Sequence, residues 1–500
     1  MAGRFSTEEI VKATGGLLAG AAAADARGAL IGVSTDTRIL KGGEAFFALK
    51  GENHDAHDHL SEAAVKGAAL LVVSDTAGIP DGYKGIVVTV KDTLRAYQEL
   101  AAYYRQKVDP LVIAVTGSVG KTTVKDMMGC ILTEPAHEGI AGPGRVHRTQ
   151  GNINNQIGLP RTILEADEDT QILVLEMGLA YAGDIERLCE IARPDIAVIT
   201  NVGLSHRENF DSDEGILYAK YEVTAFLGEG CTLIIDAGGN ENLDKLASDG
   251  SGKKGYRLLR VALEDTKAAG FADYIVTKTR VSPEDAGVSL FEIRKGSAGK
   301  AIPFAIPLPG PYAGVNAALA SAACVCAGVS LEDAAKALKS LKRTGHRLDP
   351  IAKNGILVID DTYNASPDSV ISGLEYLKNV IANKRIAVLA DMNELGDDSE
   401  AKHREVGAAA VLSGADLIYA YGEKAGGIAD GAGEAAAGLS SAKIYHYAPG
   451  DKKAMISRLK KDAGKGSAVY VKGSRAMKME EVVAALTGDA CDTEEKHGAN

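Results

Sequence analysis

Two rhythms of apolar residues alternate along the chain. Short β-branched runs such as Val112-Ile113-Ala114-Val115, Leu173-Val174-Leu175 and Ile196 to Thr200 read as buried strands, and between them apolar residues recur every three or four positions, as on helices. Residues 1–108 read as a small α/β unit. It has a helix near Thr7 to Thr14, strands at Leu30–Val33, Ala45–Leu49, Ala69–Val73 and Ile86–Val90, and a helix through Tyr104. Asp109-Pro110 then breaks the pattern, because proline disfavours helix at the residue before it. From 109 to 345 strands at Ile172–Glu176, Ile196–Thr200 and Thr232–Ile235 alternate with helices near Ile185–Ile191 and Ile216–Leu227, which predicts a mostly parallel sheet covered on both faces. Residues 254–304 look different, with hairpin-like runs at Tyr274–Val281 and Val288–Arg294, and two helices follow, Val315–Ala327 and Leu331–Leu341. A third unit, 346–486, again alternates, with strands at Ile356–Ile359, Ile386–Leu389, Leu417–Tyr421, Ile444–Tyr447 and Ala468–Val471, and the charged tail 487–500 is expected to fray. The fold class is therefore α/β in three domains: a small N-terminal unit, a central parallel-sheet unit and a C-terminal Rossmann-like unit.

The chain is organised around Gly117-Ser118-Val119-Gly120-Lys121-Thr122-Thr123, which follows the first strand of the central unit and opens a helix through Val124, Met127, Met128 and Ile131. Glycines let backbone N–H groups turn toward phosphate oxygens, the helix N-terminus adds partial positive charge, and Lys121 can reach the outer phosphates. Thr122 would place a hydroxyl on Mg²⁺. Val115 stands where the full eight-residue motif has its first glycine, so this is the shorter Gly-x-x-Gly-Lys-Thr form.

Bulk properties narrow the function. A chain of 500 residues is too long for one core, and a formal charge of −12 argues against a general nucleic-acid binder, which would display basic stripes. No uncharged run approaches the roughly 20 apolar residues of a membrane span. The closest, Ala313 to Val329, is mostly Ala, Gly and Ser and reads as a tightly packed helix. MAGRFSTEEI carries no signal-peptide core, and six scattered cysteines fit reduced thiols of a cytoplasmic protein.

Several residues could carry chemistry. Glu176 ends a buried-looking strand in the sheet that holds the glycine loop, the expected place for a Mg²⁺ ligand, against the plain alternative of an exposed strand-end glutamate. His206 closes the polar turn Thr200 to His206 after the neighbouring strand, where a metal role and a structural one stand about even. Lys220, on residues alone, is a helix-surface lysine. The run GNINNQIGLP, Gly151 to Pro160, carries four side-chain amides and two glycines and suits a substrate loop reading neutral polar groups. Asp361, Asp391 and Lys472 fall at carboxyl ends of strands in the third unit, where ligands of open sheets bind.

The glycine loop, GNINNQIGLP, LVLEMG, TNVGLSH, AKYE, DDTYNASPDSV from Asp360 to Val370, ADMNELG and VKGSR occur in the order seen in Mur ligases. The chain resembles that family over about residues 30–486, and most resembles its members that join D-alanyl-D-alanine to UDP-N-acetylmuramoyl-tripeptide in peptidoglycan synthesis. The resemblance implies that Gly117, Ser118, Val119, Gly120, Lys121, Thr122 and Thr123 hold ATP phosphates, that Thr122 and Glu176 hold one Mg²⁺, and that His206 holds a second with a carbamylated Lys220. It places Asn316, Arg347 and Asp361 on the nucleotide, with Arg347 near the γ-phosphate and Asp361 near ribose. It turns Asp36, Thr37, Arg38, Lys50, Asn152, Asn154 and Asn155 toward the UDP-muramoyl peptide, and sets Asn364, Asp391, Glu394, Lys472, Ser474 and Arg475 in the substrate site of the closing third unit. Catalysis would rest on Lys121, Glu176, His206, Lys220 and Arg347, in a monomer.

The chain departs from the family at Tyr312 and Ala313, where histidine and asparagine are usual, at Asp236-Ala237-Gly238 in place of Asn-Ala-Asp, and at Ala390 in place of glycine. Other readings stay open: another ligase of the superfamily (third-residue-adding or folylpolyglutamate-like), a nucleotide-driven switch, or a ligase-derived binder. The guanine-reading Asn-Lys-x-Asp is absent, since Asn383-Lys384-Arg385-Ile386 lacks the aspartate.

Overall fold

The computed structural model describes residues 4–19, 29–51, 54–134, 145–203, 207–210, 212–343, 345–437 and 441–488. The tail from 489 and His206 lie outside the described residues. Three main sheets form. The first runs Leu17–Ala19, Ile86–Thr89, Leu70–Val73, Ala45–Phe47, Val33–Ser34, parallel except for its first edge strand. The expected strand at Leu30–Val33 is split, its front half pairing with Phe5–Ser6 instead.

Among the described residues the second sheet has ten strands. Its parallel part is ordered Val146–Arg148, Ile172–Glu176, Leu111–Thr116, Ile196–Ile199, Thr232–Asp236, Arg257–Leu263, Tyr274–Val276. Antiparallel pairing begins only at Ser289–Lys295, which pairs with Tyr274–Val276, Arg280–Val281 and Ile302–Ile306. The hairpin-like runs of 254–304 thus do form an antiparallel edge, but Arg257–Leu263 and Tyr274–Val276 continue the parallel order before it. Arg257–Leu263 is short of clean alternation because charged Arg257 and Arg260 interrupt it, while Val261 and Ala262 are buried.

The helix Thr93–Val108 ends at Asp109, left-handed at φ 49°, whose N–H donates to Arg105 O. It does not close off an independent N-terminal core. Ala96, Tyr97, Leu100, Ala101 and Tyr104 share one apolar cluster with Leu159, Ile163, Leu188 and Ile191, from helices on the second sheet. The other face of that sheet is covered by the helices Lys121–Leu132 and Ala313–Cys326, the latter almost wholly buried. No helix among the described residues is long and apolar enough to cross a membrane.

The third sheet contains all five expected strands and an antiparallel edge, Asp349–Lys353. Its order is Asp349–Lys353, Ile356–Asp360, Ser467–Lys472, Lys384–Ala390, Leu417–Tyr421, Lys443–Tyr447. The last strand in sequence therefore lies between the second and third, which brings residues near 360 against residues near 472.

Candidate active site

The parallel strand Leu111–Thr116 delivers the glycine loop to the carboxyl edge of the second sheet. Gly117 has φ 140°, and a Cβ there would lie 2.0 Å from Thr200 Oγ1. Gly120 has φ 89°, and a Cβ would meet Asn316 Oδ1 at 2.9 Å, so Asn316 sits directly over the loop. These two positions need glycine for both backbone shape and space. The loop is braced from the next strand: Asn201 Oδ1 accepts from Ser118 N (3.0 Å) and Val119 N (2.8 Å), and Thr200 Oγ1 donates to Val119 O (2.6 Å). This revises the expectation that the loop's amides face phosphate, because two of them are spent on Asn201. The first helical bond runs from Val124 N to Gly120 O, so the N–H groups of Lys121, Thr122 and Thr123 have no acceptor inside the helix, an end that can receive an anion. Lys121 Nζ donates to Gly117 O at 2.7 Å. Burial pulls its pKa down, Glu176 opposes that and Arg347 adds to it.

Glu176 is 1 % exposed. Its Oε1 accepts from Thr122 Oγ1 (3.2 Å) and Asn154 Nδ2 (2.8 Å), while Oε2 is buried with no hydrogen-bond partner. Lys220 sits in the helix Asp213–Tyr221, buried, with Nζ unpartnered. Burial and the nearby Lys121 lower its pKa to about 7. It is no surface lysine. The Arg347 guanidinium carbon lies over the Tyr363 ring, 3.9 Å from the centroid, with Nε buried and without a hydrogen-bond partner among the described residues. Three buried polar atoms, Glu176 Oε2, Lys220 Nζ and Arg347 Nε, thus have no hydrogen-bond partner among the described residues, and of the three residues Lys220 does not line the cavity between the second and third sheets.

A cavity of about 460 Å³ joins the second and third sheets. Ser118 to Thr123, Asn152, Asn154, Asn155, Glu176, Asn316, Arg347, Asp361, Asn364, Glu394 and Lys472 all line it, which brings together most of the residues expected from sequence. Tyr312 and Ala313, the departures from the family pattern, form its wall beside Leu308 and Pro309. Asp361 and Lys472 meet as a buried ion pair, 2.6 Å apart, because their strands are neighbours. Asp361 also accepts from Tyr470 OH (3.0 Å) and Leu348 N (3.2 Å). Burial moves both pKa values toward the neutral forms, Asp361 up and Lys472 down, and each partner holds the other back.

Other expected residues lie outside the cavity lining. Asp36 pairs with Arg38 at 2.6 Å, Thr37 O accepts from Lys66, and Lys50 lies 3.3 Å from Asp55, all in the first unit. Asp391 accepts from Glu423 N and Ala425 N and so caps a turn, and Ser474 Oγ accepts from Asn393 N. Arg475 lies 3.7 Å from Glu480. Sequence reading missed Asn201 as the loop's brace, Tyr363 as the platform under Arg347, and Lys125. The signal for Lys125 was available: a lysine on the helix face of Met128 and Leu132, which are buried.

Comparison with known proteins decides the family. The Mur ligase middle domain matches residues 115–324, and the Mur ligase, glutamate ligase domain matches 346–475. The chain belongs to the Mur ligase family. This Mur ligase is 38 % identical to UDP-N-acetylmuramoyl-tripeptide--D-alanyl-D-alanine ligase of Bacillus subtilis (strain 168), over 90 % of this chain and 92 % of the relative. It is 36 % identical to the enzyme of the same name in Escherichia coli (strain K12), over 91 % and 93 %. MurF from Acinetobacter baumannii superposes on this Mur ligase with TM-score 0.82 at 27 % identity, covering 97 % of this chain and 99 % of the other. MurF from Thermotoga maritima, solved in complex with ADP, superposes with TM-score 0.77 at 26 % identity, covering 91 % and 97 %.

Proposed function

We propose that this Mur ligase joins D-alanyl-D-alanine to UDP-N-acetylmuramoyl-tripeptide, converting ATP to ADP and phosphate, in peptidoglycan precursor synthesis. The observation that carries the reading is the shared cavity: a phosphate-loop lysine, a buried carboxylate and a stacked arginine, each from a different stretch of chain, line it together. A carboxylate does not acylate an amine, because oxide would have to leave. Transfer of the γ-phosphoryl group to the tripeptide's terminal carboxylate oxygen gives an acyl phosphate and ADP. The dipeptide's amine then attacks the acyl carbon, loses a proton, and expels inorganic phosphate as the amide forms. Lys121, the helix N-terminus and Arg347 neutralise charge spread over the transferring group, and the amides of Asn152 and Asn154 orient the acceptor peptide. No protein nucleophile is required.

The residues present fit Mg²⁺. Thr122 Oγ1 and Glu176 offer hard oxygen donors at a strand end, and Glu176 Oε2 has no hydrogen-bond partner among the described residues. Mg²⁺ held there would supply further positive charge to the phosphates. Among the described residues no three His, Cys, Asp or Glu cluster as a metal site. In this reading a second Mg²⁺ would be held by Lys220 as its carbamate, with His206, which lies outside the described residues. The unpartnered, buried Nζ of Lys220 favours that modification: the free amine adds to CO₂, a C–N bond forms and one proton leaves. A carbamate resonance in ¹³C spectra under labelled bicarbonate, absent in Lys220→Met, tests it.

Asp36, Thr37, Arg38 and Lys50 would hold the UDP end from the first unit, and Glu394 and Asn364 the incoming dipeptide. The protein would act as a cytoplasmic monomer. The deciding assay mixes protein, ATP, UDP-muramoyl tripeptides ending in lysine or diaminopimelate, and D-alanyl-D-alanine. Dipeptide-dependent ADP release with the pentapeptide product in the mass spectrum is expected. ADP release driven instead by a single amino acid, or none, overturns the reading.

A further inference from the structure

Lys125 stands one helical turn beyond Lys121 and is 2 % exposed. Burying an ammonium is costly unless its hydrogens are used. Nζ donates to Gly151 O at 3.1 Å, lies 3.4 Å from Asp126 Oδ1, and is 3.8 Å from Glu176 Oε2, the oxygen with no hydrogen bond. Among the described residues it is the only cation within ion-pair reach of Glu176. The acceptor, Gly151, turns at φ 55° to open the amide-rich loop. Three residues on, Asn154 donates to Oε1 of the same glutamate, which Thr122 also touches. Thr122 and Lys125 share one face of the phosphate-loop helix, at i and i+3. The loop is therefore fastened at Gly151 and at Asn154 to a single buried group of side chains, and that group is part of the helix whose N-terminus meets phosphate.

We propose that Lys125 is a positioning residue that couples the two substrates: through Gly151 O and Glu176 it fixes the 151–156 loop to the phosphate-binding helix, so that nucleotide binding orders the surface that receives the UDP-peptide. This rests on the ligase reading above. The carbonyl of Gly151 and the carboxylate of Glu176 both need a cation between them, and an apolar side chain of equal length supplies neither donor nor charge. Lys125 touches no substrate in this account and acts through the loop.

Hydrogen exchange on the full-length wild-type protein gives the first test. A non-hydrolysable ATP analogue should slow exchange of the amides of 151–156, and unchanged exchange there overturns the proposal without any variant. With the non-hydrolysable analogue bound, Lys125→Met should weaken UDP-peptide binding by about tenfold to about a hundredfold, the span of one charge-assisted hydrogen bond, while ATP binding in the absence of UDP-peptide stays within about threefold. Lys125→Arg, which keeps charge and donors, should recover most of that loss, and the nucleotide-driven protection of 151–156 should vanish in Lys125→Met and persist in Lys125→Arg. An equal loss of UDP-peptide affinity with and without nucleotide, an affinity within twofold of wild type, or protection that survives in Lys125→Met each overturn it. If Lys125→Met does not fold, the wild-type exchange and Lys125→Arg decide alone. Protection of the loop in a protein that shows no dipeptide-dependent ADP release would sink the ligase reading and leave the coupling standing.

Discussion

The Asp361–Lys472 pair gives the sharpest stability prediction. Lys472 is 4 % exposed and Asp361 9 %, and the two lie 2.6 Å apart on adjacent strands. Lys472→Met keeps the side chain's length and apolar packing but leaves a buried carboxylate supported only by the Tyr470 hydroxyl and the Leu348 amide. Stranding one member of a buried ion pair costs about 3–5 kcal/mol. The double variant Asp361→Asn/Lys472→Met removes both charges, and the asparagine carbonyl still accepts from Leu348 N while its Nδ2, in the place of Oδ2, donates to the Tyr470 hydroxyl. Its loss should be only about 1–2 kcal/mol, the net worth of ordinary hydrogen bonds. The double variant is thus expected to be more stable than the lysine single variant, a coupling of about 2 kcal/mol or more. A chain with three sheets does not unfold in one step, so the measurement is native-state hydrogen exchange of amides in 356–360 and 467–472. A loss under about 1 kcal/mol in Lys472→Met, or a double variant whose cost equals the sum of the singles, refutes the view that charge compensation holds these strands together.

Three further outcomes follow from the same geometry. Gly117→Ala sets a Cβ 2.0 Å from Thr200 Oγ1 at φ 140°, so ADP binding measured by calorimetry should weaken at least about tenfold while melting of the third unit is unchanged. Arg347→Lys keeps the charge but loses the planar fork and the stack on Tyr363, and kcat should fall by about a hundredfold with a smaller change in ATP KM. Asp236, held at about pKa 6 by burial against the amides of Gly238 and Gly239, binds its proton more tightly folded than unfolded. Its contribution to stability is therefore lost as pH rises from the unfolded carboxyl value to about 6, and Asp236→Asn should raise Tm at pH 8 but not at pH 4. Equal shifts at both pH values would contradict this.

The strands were legible because parallel strands buried on both faces are continuous β-branched runs, as at Val112 to Val115 and Val469 to Val471. Arg257–Leu263 was not, since its two arginines hide the run, and Val146–Arg148 offers three half-buried residues with no apolar signature. The phosphate loop announces itself through glycines whose positive φ is a local necessity. Lys220 does not: a buried lysine looks like a surface lysine until the helix's neighbours are known, whereas Lys125 shares its helix face with the apolar Met128 and Leu132. The pairing of Asp361 with Lys472 could not be read either, because it depends on strand order, which no local pattern records.

That strand order bears on biogenesis. Ser467–Lys472 is the last strand of its sheet to leave the ribosome, yet it is a central one. Until it emerges, Ile356–Asp360 and Lys384–Ala390 each present a bare hydrogen-bonding edge toward the other, and Asp361 waits without its counter-ion. The nascent third unit must be held open, by its own slowness or by a chaperone, for about a hundred residues of synthesis. Truncation between 391 and 466 is expected to yield aggregates rather than a smaller folded third unit.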